Sequence, residues 1–295
     1  MHGRAKGIGP LKLTRENPLE GSLRKLISTP PKTGGSDKLI DYWLPLDDER
    51  VYLNEHLGKS ISLTYQGDIH CISCGRRTNK SFAQGHCYPC FSGKAACDMC
   101  ILKPELCHFD QGTCREPQWG EEFCMQSHIV YLANTTGAKV GITRKTQIPT
   151  RWVDQGAVAA LPIWEVSTRL ISGQIEVAMA EFVADKSRWQ QLLKGEPEPV
   201  DLYALRDQSR EWTAKVVASI RAQSGDDAVR EINGDQFSFN FPVETYPEKI
   251  KSFNFDKQPV VTGQLMGIKG QYLLLDTGVI NIRKFGGYQV EFSAG

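Results

Sequence analysis

Nine cysteines fall inside the 54 residues from Cys71 to Cys124, and none occurs elsewhere in the 295-residue chain. So many thiols in one short stretch must be cross-linked, bound to metal or buried as inert groups, and each option demands a different fold around them. No apolar run approaches about 18 residues, and the amino terminus lacks the apolar stretch of a secretory signal. A cytoplasmic, reducing setting is therefore expected, with no membrane segment and with thiolates ligating metal instead of forming disulfides.

Cys71 and Cys74 make one CxxC pair and Cys87 and Cys90 a second, with twelve residues between them. Each CxxC turn offers two thiolates to one ion at about 2.3 Å, and two such turns close a tetrahedron, which predicts structural zinc. Gly75 relieves backbone crowding after the first turn. A redox dithiol normally uses one pair, whereas four thiolates also suit an iron–sulfur cluster. Cys97, Cys100, Cys107, Cys114 and Cys124 remain, with His108 and His128 close by. They predict a second zinc site, and we assign it Cys100, Cys107, Cys114 and Cys124. "SGKAAC" reads as the tail of a short helix after Cys90 and leaves Cys97 as a packed thiol. Spacing alone also admits Cys97, His108 or His128 in place of one ligand. Closed cysteine sites lack an open coordination position, so both ions are expected to be structural. Arg76 and Arg77, on the first of these loops, are candidate phosphate contacts.

The flanks alternate as strands do. "KLIDYWLPL", "RVYL" and "SISLTYQGDIH" precede the cysteines, the last alternating over Ile61, Leu63 and Tyr65. "FSFNFPV", "VVTGQLMGIKGQYLLLDTGVINIRKF" and "YQVEF" end the chain, and these terminal strands should form a small barrel or sheet together. After the cysteines, "HIVYLA" and "AKVGIT" flank the turn "NTTG" as a hairpin. A helix is predicted from Thr150 to Ala160 behind Pro149, then a strand "IWEVSTRLI", then a helix capped near Ser172 that carries Glu176. Helical patterns follow over "SRWQQLL" and from Val200 to Gln223. The fold class expected is α+β with several units.

"HIVYLANTTGAKVGITRKTQIPTRW" resembles the opening of the GIY-YIG nuclease domain, with the likeness running over residues 127–194. Tyr131 matches the tyrosine of the first motif, and "KVG" stands at the second, with Lys139 replacing its tyrosine as "KIG" does in some branches. Arg151 follows ten residues after Gly141, and Glu176 lies on the next helix. The resemblance implies an α/β sandwich in which Tyr131 or Lys139 serves as base, Arg151 meets phosphate and Glu176 holds one Mg²⁺. Arg144 and Lys145 extend the positive surface for nucleic-acid contact. "CISCGR", "PELCHFDQGTCREPQWG" and "GIKGQYLLLDTGVINIRKFGGY" also make the whole chain resemble a prokaryotic family of unknown function.

These readings divide the chain into a basic arm (1–36), N-terminal strands (37–70), a zinc segment (71–127), a GIY-YIG-like domain with a helical extension (128–225) and a C-terminal β domain (226–295). The formal net charge of +1 gives no whole-chain attraction to nucleic acid, so contact must come from local patches. The function expected is a zinc-containing protein that binds DNA or RNA and uses the GIY-YIG-like module to cut it. The alternative is a non-catalytic zinc scaffold that docks on structured RNA, a ribosomal surface or another protein.

Overall fold

The computed structural model describes residues 18–30, 38–185 and 188–295, so most of the basic arm lies outside the described residues. Before the cysteines run β1 (Leu19–Ser22), β2 (Ile27–Thr29), β3 (Asp41–Leu46), β4 (Glu49–Tyr52) and β5 (Ser60–Ile69). The cysteine segment holds α1 (Tyr88–Gly93) and α2 (Pro117–Phe123). Next come β6 (His128–Asn134), β7 (Ala138–Arg144), α3 (Thr150–Asp154), β8 (Ala159–Val166), α4 (Arg169–Ala180), α5 (Trp189–Leu192) and α6 (Leu202–Ser224). The chain closes with β9 (Val229–Glu231), β10 (Phe237–Ser238), β11 (Val260–Lys269), β12 (Tyr272–Leu275), β13 (Gly278–Asn281) and β14 (Tyr288–Ala294).

Strands from both ends of the chain share one antiparallel sheet in the order β1-β14-β5-β11-β12-β13, which stays open at β1 and β13 and does not close into a barrel. Strand β5 sits inside it because its apolar alternation finds partners on both sides: Leu63 lies opposite Phe292 on β14 and opposite Val261 on β11. All three side chains are buried, as pairs across a sheet that covers a core should be. Residues 18–30, read from the sequence as part of an arm, instead form β1 and β2, because Leu23 and Leu26 are fully buried in this core.

The central sheet has the order β10-β8-β6-β7, with β9 also pairing β8. Period-two alternation divides β6 between two cores. Val130 and Leu132 pack with Ile171, Ile175 and Met179 of α4 and Val217 and Ile220 of α6, while Ile129, Tyr131 and Ala133 join the core shared with the large sheet. The predicted hairpin is present, with Tyr131 directly opposite Gly141.

Two helix predictions need correction. The helix beginning at Thr150 ends at Asp154, since Ala159 and Ala160 are drawn into pairing with β6 and β10 in spite of their helical propensity. The helix carrying Glu176 begins at Arg169, with the Thr168 side chain accepting from the Ile171 N–H at 3.3 Å, while Ser172 is buried and donates to the Arg169 carbonyl at 2.6 Å.

His128 opens β6 fully buried, its Nδ1 2.7 Å from the Gln126 carbonyl. Burial first, and then the charges of Arg169 and Arg144, pull its pKa from 6.5 to about 4. The unfolded chain thus takes a proton near pH 6.5 that the native state refuses until about pH 4. Stability should fall as pH drops through that window, by on the order of 3 kcal/mol. Urea melts of wild type and His128→Leu between about pH 7 and pH 4.5 test this. The variant should lose most of that slope whatever its overall stability, and an equal slope in both would acquit the histidine.

Candidate functional site

The first four cysteines converge. The sulfurs of Cys71, Cys74, Cys87 and Cys90 all lie within 4.8 Å of one another, with Cys74 Sγ and Cys87 Sγ 3.7 Å apart. A tetrahedron with metal–sulfur bonds of about 2.3 Å has sulfurs about 3.8 Å apart, so the cluster already has the dimensions of a zinc site. The sequence builds it from tight turns: Gly75, at a φ of +71°, returns its N–H to the Cys71 carbonyl at 2.9 Å. Burial alone would raise the Cys71 thiol. Backbone N–H groups of Cys87, Cys74 and Ser73 directed at its sulfur outweigh that and bring it to about 6. These four residues can hold a metal ion.

Cys100, Cys107, Cys114 and Cys124 line a second cavity of about 10 Å³, the space of one water or ion, together with Asp98 and His108. Ligand atoms of Asp98, Cys100 and His108 lie within 4.8 Å of one another. Cys97 is not among the lining residues, and His128 lies apart in β6. Burial pushes the Cys100 and Cys124 thiols up to about 11, so thiolates here need a cation beside them. Glu116 ties the two clusters together by accepting from Lys94 Nζ at 2.7 Å and from the Ala95 N–H at 2.8 Å.

A cavity of about 450 Å³ opens along β7, the outer strand of the central sheet. Lys139, Gly141 and Arg144 come from β7, Arg151 from α3, Arg169 and Glu176 from α4, and Asp185 from the segment after it. Gln84 of the first cysteine loop, Leu102 and Pro104 of the second and Arg283 near the C-terminus also line it.

The second cysteine segment is pressed onto α4. A side chain at Gly173 would stand 2.4 Å from the Glu105 nitrogen, so only glycine permits this approach. Arg169 is held from both ends: its backbone N–H donates to the Cys124 carbonyl at 2.8 Å, and its Nη2 donates to the Ile101 carbonyl at 2.7 Å. The Arg144 guanidinium lies 4.5 Å from the Phe123 ring centre.

The electrostatics follow from crowding charge in a half-buried place. Lys139 is only 6% exposed, and burial, then Arg151, lowers its pKa to about 8 against the pull of Glu176 and Asp185. Burial raises Glu176 to about 6, with Lys139 and Arg169 opposing. Tyr131 is fully buried behind the wall, donates to Gln155 Oε1 at 2.8 Å, and is pushed by burial up to about 12.

The family model described as "Protein of unknown function (DUF2797)" matches residues 58–290, a span that contains both cysteine clusters and every residue of the cavity wall. The chain belongs to the DUF2797 family. No curated protein and no solved structure matches it. No helix among the described residues is long and apolar enough to cross a membrane.

The candidate residues of this DUF2797 chain divide into those brought together and those dispersed. Lys139, Arg144, Arg151 and Glu176 share one cavity, with Tyr131 directly behind it. Lys145 turns away and pairs with Glu165 at 2.7 Å in a separate groove. Arg77 pairs with Asp68, and neither it nor the exposed Arg76 lines the cavity. Three charged residues of the cavity wall escaped the sequence reading: Arg169, Arg283 and Asp185. The cap at Thr168 was the signal for Arg169. Nothing local marks the other two.

Proposed function

We propose that this DUF2797 chain is a zinc-containing, nucleic-acid-binding protein in which two structural zinc ions brace a phosphate-binding cavity on a GIY-YIG-like module capable of cutting phosphodiesters. The observation that carries this reading is the meeting of Lys139, Arg151 and Glu176, three residues picked out by a resemblance in sequence, in one solvent-open cavity with four further arginine or aspartate side chains of phosphate- or cation-binding type. Cys71, Cys74, Cys87 and Cys90, and Cys100, Cys107, Cys114 and Cys124, would each hold a zinc ion that takes no part in the reaction and would fix the loops that bear Gln84, Leu102 and Pro104. Glu176 would hold Mg²⁺, which when bound would supply charge stabilisation to the phosphoryl and leaving oxygens.

The chain's own groups do the rest. Arg151 and Arg169 orient the phosphate by paired N–H donors. Neutral Lys139 takes the proton of the attacking water as the new P–O bond forms and the old one breaks, and the departing oxygen is reprotonated from solvent. Lys139 suits the base role better than Tyr131, because the latter is fully buried and pushed up to about 12. Cleavage should therefore rise with pH, first through about 6 as Glu176 ionises and then through about 8 as Lys139 loses its proton. A flat profile over that range contradicts both roles.

The burial of Tyr131 also favours one other reading, a non-catalytic zinc scaffold that binds RNA, a ribosomal surface or a protein. Binding separates the two from a protein-only partner. The cavity cations should give nucleic-acid binding that weakens steeply with salt, by about tenfold or more between roughly 50 and 200 mM. Fluorescence anisotropy with labelled single strands and duplexes checks this. Binding absent even at the lower salt would remove nucleic acid from both readings.

A further inference from the structure

The cavity carries more charge, and more walls, than contact with one internal phosphodiester would use. Even with Lys139 neutral, Arg144, Arg151, Arg169 and Arg283 stand against two carboxylates, Glu176 and Asp185. An internal phosphodiester brings one negative charge, whereas a terminal phosphate brings about 1.5 to 2. The walls come from both cysteine loops, the central sheet with its helices, and the C-terminal region, so separate parts of the chain meet around one open pocket. Its volume, about 450 Å³, lies in the range of roughly 300–1,000 Å³ typical of small-ligand pockets. Specific duplex interfaces instead bury on the order of 1,000–2,500 Å² of protein surface.

One side of the mouth is apolar. Leu102 lines the cavity while 79% exposed, and Met99, whose carbonyl accepts the Leu102 N–H at 2.9 Å, is 57% exposed. A large apolar side chain such as Leu102, standing in water beside a group of arginines, makes a poor solvent face and a good ledge for a flat heterocycle. Ledge and charge are also held at a fixed spacing, because the Arg169 guanidinium donates to the carbonyl of Ile101, the residue just before Leu102.

We propose that the cavity takes a single nucleotide unit bearing a terminal phosphate, with the phosphate among Arg144, Arg151 and Arg169 and the base on Leu102. The assignment rests on the cavity being a phosphate site. Its chemistry is shared by a free mononucleotide and by the phosphorylated end of a strand.

Calorimetric titration of the full chain tests it with inorganic phosphate, ribose 5-phosphate, adenosine 5′-monophosphate, and a short single strand with and without terminal phosphate. The nucleotide should bind about tenfold more tightly than phosphate or the sugar phosphate. Arg169→Gln should weaken every phosphate-bearing probe by about tenfold. Leu102→Ser, at a position too exposed to affect folding, should cut the nucleotide's advantage about threefold or more and leave inorganic phosphate unchanged. Preference for the phosphorylated strand over its unphosphorylated twin supports the strand end as source; equal strands beside a tighter mononucleotide support the free form. A nucleotide no tighter than phosphate, or an advantage untouched by Leu102→Ser, overturns the assignment but leaves the phosphate site standing. No binding by any phosphate probe overturns both.

Discussion

Purified without added metal, the chain is expected to carry about two zinc ions, and Cys74→Ser is expected to lose one of them together with several kcal/mol of stability. Cys74 is the informative position because it alone of the first four thiols is exposed, while Cys71, Cys87 and Cys90 are buried. A surface substitution away from special features normally changes stability by about 0.5 kcal/mol or less. A large loss at an exposed serine would therefore report a missing ligand and not a disturbed core. Cys97→Ser is the control: its thiol lies outside the second cluster's lining, so both ions should remain. Elemental analysis gives the metal content and denaturant melts give the stability. Wild-type zinc and wild-type stability in Cys74→Ser would end the assignment of the first site.

Cleavage, if assayed with Mg²⁺ or Mn²⁺ on single strands and duplexes, should fall by about 10²–10³-fold in Glu176→Gln and by a comparable factor in Arg151→Ala. The two losses have different origins. Glutamine keeps the shape of Glu176 but removes the negative charge that a hard cation needs, and Asp185 remains as the other carboxylate of the cavity wall. Alanine at 151 leaves charge on the phosphoryl oxygens unanswered and relieves Lys139 of a neighbour that lowers its pKa. Arg151→Ala should consequently shift the upper limb of the pH profile to higher pH, a change that Glu176→Gln does not make by that route. Residual activity equal to wild type in Glu176→Gln would remove the carboxylate from the mechanism. If the wild type cuts no substrate with any divalent cation tried, the scaffold reading replaces the nuclease one.

What could be read from the sequence was what local spacing encodes. A CxxC turn is complete within four residues, so the meeting of Cys71 with Cys74 and of Cys87 with Cys90 needed no knowledge of the rest. The hairpin bearing Tyr131 and Lys139 was equally local. Arg169 was hidden because "IWEVSTRLI" is apolar enough to read as a continuous strand, whereas the strand stops at Val166 and Thr168 caps a helix. Arg283 and Gln84 reach the cavity only through the pairing of distant strands, which no local pattern reports. Lys145 misled for the opposite reason: it is adjacent to Arg144 in sequence, but a short 3₁₀ turn from Lys145 to Gln147 carries it toward Glu165. Leu23 and Leu26 sit among lysine, arginine, glycine and proline, so a buried edge of the large sheet looked like a polar arm.

The placement of β5 between β14 and β11 has a consequence for how the chain is made. Its hydrogen-bonding edges stay open until the ribosome has delivered residues roughly 200 positions further on, and such distant pairings form slowly. During that interval the apolar face of Ile61 and Leu63 is exposed to other nascent chains. The cysteine loops, whose ligands are all close in sequence, need no such wait. Metal capture and sheet closure would thus be separated in time, and a nonsense codon between Cys124 and β14 should yield a polypeptide that keeps its cysteine ligands yet aggregates.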